Sequence, residues 1–227
     1  MIRVTENLAL IKDLLTISAR EAERDPQSVK LLAVSKKQPV ERVLAAASQG
    51  QRDFGENTVQ EGLSKIHATA EKGLTWHFIG HLQSNKTRLV AENFDWVHTI
   101  DKLKTANRLS RQRPDELGTL NVCIQVNVDD EPGKSGVSID GLDELATACA
   151  ELPRIRLRGL MCLPRPRYEF QEQRIPFARL RELAAGLRDS GIDTDTLSMG
   201  MSNDYRAAIF EGATIVRIGT AIFGERQ

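Results

Sequence analysis

Short apolar runs alternate along this chain with stretches of helical periodicity. The runs fall at 29–36 (VKLLAVSK), 52–57 (RDFGEN), 75–81 (TWHFIGH), 95–101 (DWVHTID), 121–128 (NVCIQVNV), 156–163 (RLRGLMCL), 196–201 (TLSMGM) and 214–220 (TIVRIGT). Each reads as a strand. Between them, VERVLAAASQ, TVQEGLSKIHATAEK, KLKTANRLSRQR, IDGLDELATACAEL and FARLRELAAGLRDSG read as amphipathic helices, most of them ending near Gly or Pro. Strand and helix in alternation imply a parallel sheet, and eight such units in roughly 200 residues fit a compact (β/α)8 TIM-type barrel of the α/β class. An open doubly wound sheet is the alternative, and it uses fewer strands. Ahead of the first strand, Leu8, Ile11, Leu14, Leu15 and Ser18 recur at helical spacing with Glu6, Lys12 and Asp13 between them, which predicts an extra N-terminal amphipathic helix. No block is left over for another domain, so residues 1–227 are expected to form one.

Composition narrows the function class. The 227 residues carry 31 basic and 31 acidic side chains, a balance that argues against nucleic acid as the main partner. The N-terminal segment is amphipathic and not continuously apolar, so it is neither a signal peptide nor a membrane span. Cys123, Cys149 and Cys162 are odd in number and widely spaced, which favours a reduced, cytoplasmic protein without a structural metal. No exposed apolar patch is evident, and a monomer is expected.

In a barrel, chemistry sits at the C-terminal ends of the strands. Those ends read Lys36, Glu56 and Asn57, Gly80 and His81, Asp101, Asn127, Met161, Gly200 to Asp204, and Arg217 to Thr220. Polar residues collect there while the strand bodies stay apolar. In SMGMSNDYRAAIFEG, Ser202 is expected to cap a helix over 203–210, with Gly200 allowing a tight turn before it. A helix start behind a small-residue turn suits an anion. Arg217 stands inside an apolar strand, so its guanidinium must face an acceptor, either a ligand or an internal carboxylate. Gly219, on the same strand face, leaves room for a ligand. A phosphate-bearing aromatic ligand would account for all three residues.

Two motifs fail on geometry. The GKS within PGKSG lacks the earlier glycine of a nucleotide loop, because that position is Val128. His77 and His81 lie roughly 13 Å apart on a strand and cannot share a metal. His77 is expected to pack or hydrogen-bond inside the barrel, while His81 stays a candidate for the site.

LLAVSK, FGEN, WHFIGHLQSNK, VHTID, KSG, LRGLM and SMGMSNDYRAAIFEGATIVRIGTAIFG occur in this order over nearly the whole chain. In these motifs the sequence resembles the pyridoxal 5′-phosphate homeostasis protein family, itself similar to the barrel domain of alanine racemase. The resemblance implies pyridoxal 5′-phosphate as cofactor, held as a Schiff base on Lys36. It places the phosphate on Ser202 and the backbone at Gly219 and Thr220, and Arg217 against the pyridine nitrogen, with Asn57 and Met201 completing the cofactor site. The segment 164–176 (PRPRYEFQEQRIP) is longer and more basic than the resemblance leads one to expect, which leaves its role open.

Attack on an aldehyde needs a neutral amine, which desolvation and a neighbouring arginine both favour. Strand parity alone does not choose Lys36 over Lys37, although Lys37 is expected to be solvated; Lys134 is the expected secondary amine. An arginine at the pyridine nitrogen makes the ring a poor electron sink, and the chain has no residues for the second domain that supplies a racemase with its tyrosine base. The expected function is therefore holding and delivering cofactor in intracellular pyridoxal phosphate homeostasis, with apo-enzymes as possible recipients and no robust catalysis. The alternatives are a racemase-like enzyme drawing a base from Tyr205, His81 or a partner subunit, and an aldolase using Lys36 with a sugar phosphate.

Overall fold

The computed structural model of the protein describes residues 2–224. Among these, eight parallel strands close into a barrel in the order β1 to β8. They are β1 Lys30–Val34, β2 Asp53–Glu56, β3 Thr75–Phe78, β4 Trp96–Ile100, β5 Leu120–Gln125, β6 Ile155–Met161, β7 Thr196–Ser198 and β8 Ile215–Ile218. Closure is made where β1 pairs with β8, Leu32 lying opposite Arg217. Around the barrel run the helices α1 Ile2–Glu21, α2 Val40–Ser48, α3 Val59–Ala68, α4 Thr87–Asn93, α5 Leu103–Gln112, α6 Leu142–Ala150, α7 Phe170–Asp189, α8 Tyr205–Phe210 and α9 Thr220–Phe223. The expected strands run longer than the observed ones. β1 ends at Val34, so Lys36 lies in a turn two residues past it.

The core is an annulus between sheet and helices. Alternate strand residues such as Leu31, Ala33, Phe54, Phe78, Val122 and Val216 point outward into it, as the period of two requires. α1 is the expected N-terminal helix. It buries Leu8, Ile11, Leu15 and Ser18, while Leu14 lies half-buried at the edge. Asn7 ties α1 to α9 through a 3.1 Å bond to the Ile222 carbonyl.

The inner face of the sheet is different. A small apolar cluster of Leu32, Trp96, Cys123, Met161 and Ile215 shares it with His77, His98, Ser198 and Arg217, all buried. His77 hydrogen-bonds inside the barrel, as its sequence position suggests. Burial pushes all three cysteine thiols up to about 12, so they are inert protonated side chains.

Two expectations need correction. The segment 164–176 is loop only to 169, because α7 begins at Phe170 and carries Pro176 within it. The basic loop before α7 is pinned by Asp129, which accepts from the Arg165 amide at 2.8 Å and pairs with Arg167 at 2.5 Å. Ser202 does not cap a helix. Residues 202–204 form a turn in which the Met201 amide donates to Asp204 Oδ1 at 2.6 Å, and α8 starts at Tyr205 with Asp204 as its cap position. Asp204 holds the cap position, but its carboxylate closes the turn before the helix and makes no side-chain bond to the first turn of α8.

Candidate functional site

A cavity of about 290 Å³ opens at the C-terminal mouth of the barrel, at the lower end of small-molecule sites. It brings together Lys36, Asn57, Met201, Ser202, Arg217, Gly219 and Thr220, all seven residues expected from the sequence. Val34, Gln38, Ile79, Gly80, Met161, Leu163 and Gly224 complete the lining. Of these, Val34 lies at inward parity on β1, a signal that would have found it, whereas Gln38 follows the turn after β1, where strand parity no longer applies.

The turn that carries Lys36 is held from outside the barrel. The Ser35 hydroxyl donates to Glu56 Oε1 at 2.6 Å, and Lys65 Nζ donates to the Ser35 carbonyl, to Glu56 Oε1 and to Glu61 Oε1, each at 2.7 Å. The Lys37 amide donates to Glu61 Oε1, and Lys37 adopts φ +58°. Lys36 is thus left half-buried in the cavity lining while Lys37 is exposed. The structure separates two lysines that strand parity alone did not.

Across the cavity, Arg217 is buried and its acceptors are neutral. Nη1 donates to the Ser198 carbonyl at 2.6 Å and hydroxyl at 2.9 Å, and Nη2 to the Cys162 carbonyl at 2.9 Å. Burial lowers the guanidinium from its usual value. Gly219 follows one residue past β8, where a Cβ would lie 3.0 Å from the Val34 carbonyl oxygen, a contact tight enough that glycine best keeps this wall flat. Gly200, at φ +91°, turns the chain into the 201–204 segment that sets Ser202 in the lining.

His81 does not join this cavity. It is exposed and lines a separate surface cleft with Gln83 and Lys86. Tyr205 and Lys134 are likewise absent from the lining, and Lys134 pairs instead with Glu131. No group of metal-ligating side chains occurs among the described residues, and no described helix is long and apolar enough to cross a membrane.

The cavity has the donor set a phosphorylated aromatic aldehyde needs: an amine, a hydroxyl beside glycine backbone, and a buried cation on one wall. Residues 13–227 match the family described as alanine racemase, N-terminal domain. The chain is 54% identical over 230 residues to the pyridoxal phosphate homeostasis protein of Escherichia coli strain K12, covering 99% of this chain and 97% of that one. It is also 54% identical over 227 residues to the protein of the same name from Pseudomonas aeruginosa, covering 100% and 97%. Among solved structures, PipY of Synechococcus elongatus PCC7942 with PLP bound is similar at a TM-score of 0.85 and 36% identity, over 97% of this chain and 100% of that one. The chain therefore belongs to the pyridoxal phosphate homeostasis protein family, within the wider family of the alanine racemase N-terminal domain.

Proposed function

We propose that this protein binds pyridoxal 5′-phosphate at the C-terminal mouth of its barrel and serves as a cytoplasmic, monomeric carrier that buffers the cofactor and releases it to apo-enzymes without turning over a substrate of its own. The observation that carries the reading is convergence: residues scattered from 36 to 220 line one cavity, and Lys36 is the one side-chain amine among the described residues lining it. When bound, the cofactor supplies an electrophilic aldehyde and a conjugated ring. Lys36 is the amine that takes the aldehyde. Ser202 and the backbone at Gly219 and Thr220 receive the phosphate, for which charge-assisted hydrogen bonds provide most of the affinity. Arg217 faces the pyridine nitrogen, and Asn57 and Met201 flank the ring.

The carrier reading rests on the missing second base. Racemisation needs a proton donor and acceptor on both faces of the α-carbon, and neither Tyr205 nor His81 belongs to the cavity lining. The test is borohydride reduction of the loaded protein followed by peptide mass spectrometry. Wild type should carry the cofactor on Lys36, and Lys36→Ala should lose the fixed adduct altogether. Wild-type yield on Lys37 or Lys134 in that variant overturns the assignment. Exchange of the α-proton of an amino acid in deuterated water at an enzymatic rate, abolished by Lys36→Ala, replaces the carrier reading with the racemase-like one.

A further inference from the structure

The buried polar groups on the inner face of the barrel form one continuous chain from the cavity to the opposite mouth. Arg217 Nη1 donates to Ser198 Oγ at 2.9 Å, and Ser198 Oγ lies 2.7 Å from His98 Nδ1. His98 Nε2 lies 2.9 Å from His77 Nδ1, and His77 Nε2 lies 3.0 Å from Asp53 Oδ1. Asp53 sits at the N-terminal end of β2, largely buried, where Lys30 also reaches Oδ1 at 3.0 Å.

The direction of every link follows from the acid end. An ionised carboxylate only accepts, so His77 Nε2 must carry a proton. A neutral His77 then has a bare Nδ1, which requires His98 to donate from Nε2. A neutral His98 in turn has a bare Nδ1, so the Ser198 hydroxyl donates to it and offers its lone pairs to Arg217. Both imidazoles are fully buried, and a buried imidazolium is costly. Burial lowers the affinity of both for a second proton, His98 most, where neighbouring His77 and Arg217 add to the effect. At Asp53, burial alone would raise the carboxyl, but the hydrogen bonds from His77 and Lys30, with the Lys30 charge, outweigh it and hold the group below its ordinary range.

We propose that Asp53 is a positioning residue for Arg217, acting through a one-way hydrogen-bond chain along the barrel axis that fixes His77 and His98 as Nε2–H tautomers and presents the Ser198 oxygen to the guanidinium. The placing of Arg217 against a cofactor ring rests on the function proposed above; the chain itself does not. None of the side-chain hydrogen bonds or ion pairs of Asp53 among the described residues reaches a residue lining the cavity, yet Asp53 sets the polarity of everything between itself and the arginine.

The test uses cofactor-free protein labelled with ¹⁵N-histidine and reads imidazole tautomers from two-bond ¹H–¹⁵N correlations. Wild type should show protonated Nε2 and bare Nδ1 at both His77 and His98. Asp53→Leu removes the obligatory acceptor and should bring in Nδ1–H signal at both histidines, including His98, which Asp53 does not contact. Asp53→Asn retains a carbonyl acceptor and should restore the wild-type pattern. Ser198→Ala removes the other end and should leave both tautomers unchanged. An Nδ1–H His98 in wild type, or tautomers that follow Ser198 and not Asp53, overturns the proposal, and both are readable even if Asp53→Leu does not fold. Addition of pyridoxal phosphate gives a second arm: the absorbance maximum of the loaded protein should move in Asp53→Leu and return in Asp53→Asn. Shifted tautomers with an unmoved maximum overturn the reach of Asp53 to Arg217 at the cofactor. Failure of wild type to bind any cofactor defeats the proposed function alone, because the imidazole spectra still decide the chain.

Discussion

Strand β2 carries two carboxylates three residues apart, Asp53 on the inner face and Glu56 on the outer, and their carboxyls are shifted in opposite directions. Partner number does not explain this. Asp53 receives His77 and Lys30; Glu56 receives Lys65 and Ser35. Depth separates them. Asp53 lies at the rim, with its side chain 14% exposed, whereas that of Glu56 is 0% exposed and its Oε2 has no partner among the described residues. Burial pushes the Glu56 carboxyl above its ordinary range, the bonds from Lys65 and Ser35 do not bring it back, and the nearby Glu61 charge adds to the rise. At the rim the same two kinds of force balance the other way. The difference has functional content: the ionised Asp53 anchors the axial chain, and the Glu56 cluster holds the turn that aims Lys36.

The comparison breaks most visibly at Lys65. This single ammonium, itself buried, serves the sealed Glu56 carboxylate, the partly exposed Glu61 carboxylate and the Ser35 carbonyl. Lys65→Met strips both acids of their cation, and removing one partner from a buried ionic cluster costs about 3–5 kcal/mol. Urea denaturation should show the midpoint falling by that equivalent with an unchanged slope. A loss below about 1 kcal/mol, the range of exposed pairs, would mean that Glu56 is not sealed.

Much of this architecture is legible in the sequence because the barrel writes itself into apolar runs of strand length. All seven expected site residues share one cavity, since strand ends in a closed parallel barrel must converge. The local errors have local causes. Serine is a common cap, but the bond from the Met201 amide to Asp204 extends the turn through 204, so the helix starts two residues later than the serine position predicts. Pro176 reads as loop, yet the structure holds it inside α7. The axial chain stayed hidden for a different reason: its links join residues up to 100 positions apart, and only barrel closure brings them together. A weak signal existed, in polar residues at inward parity within apolar strands: Asp53, His77, His98, Ser198 and Arg217. Sequence reading found His77 and Arg217 and missed the rest.

The pH dependence of stability sharpens the contrast with opposite signs. A carboxyl raised in the folded state contributes stability that is full below its unfolded value, about 4.3 for glutamate, and lost as pH rises through the folded value. The stability of wild type relative to Glu56→Gln should therefore fall as pH rises from about 4 towards neutrality. A carboxyl lowered in the folded state contributes stability that is present above its unfolded value, about 3.9 for aspartate, and lost as pH falls through the folded value. Relative to Asp53→Asn, wild type should therefore lose stability as pH drops below about 4. Urea midpoints at several pH values measure both, and slopes of the same sign would remove the distinction between rim and layer. Each effect should be smaller than that of Lys65→Met, because Glu56→Gln leaves Lys65 paired with Glu61, and Asp53→Asn unpairs only the solvent-exposed Lys30.

The smallest expected effect tests which partner holds Asp53 down. Lys30 is the obvious candidate, a cation 3.0 Å from the carboxylate, but its side chain is 48% exposed. An exposed ammonium pays in side-chain entropy for what it gains in charge, and such pairs contribute about 0–1 kcal/mol. The hydrogen bond from His77 is made inside the barrel, where water does not compete, and it is the larger of the two influences on Asp53. Lys30→Met should therefore cost less than about 1 kcal/mol in urea and leave the Asp53 carboxyl below its ordinary range in a ¹³Cγ titration. His77→Phe, which keeps a ring but removes the donor, should raise that titration by more than Lys30→Met does. If Lys30→Met alone returned Asp53 to its ordinary range, the aspartate would be a surface ion pair, and the axial chain would end on an acid governed by solvent instead of by the barrel interior.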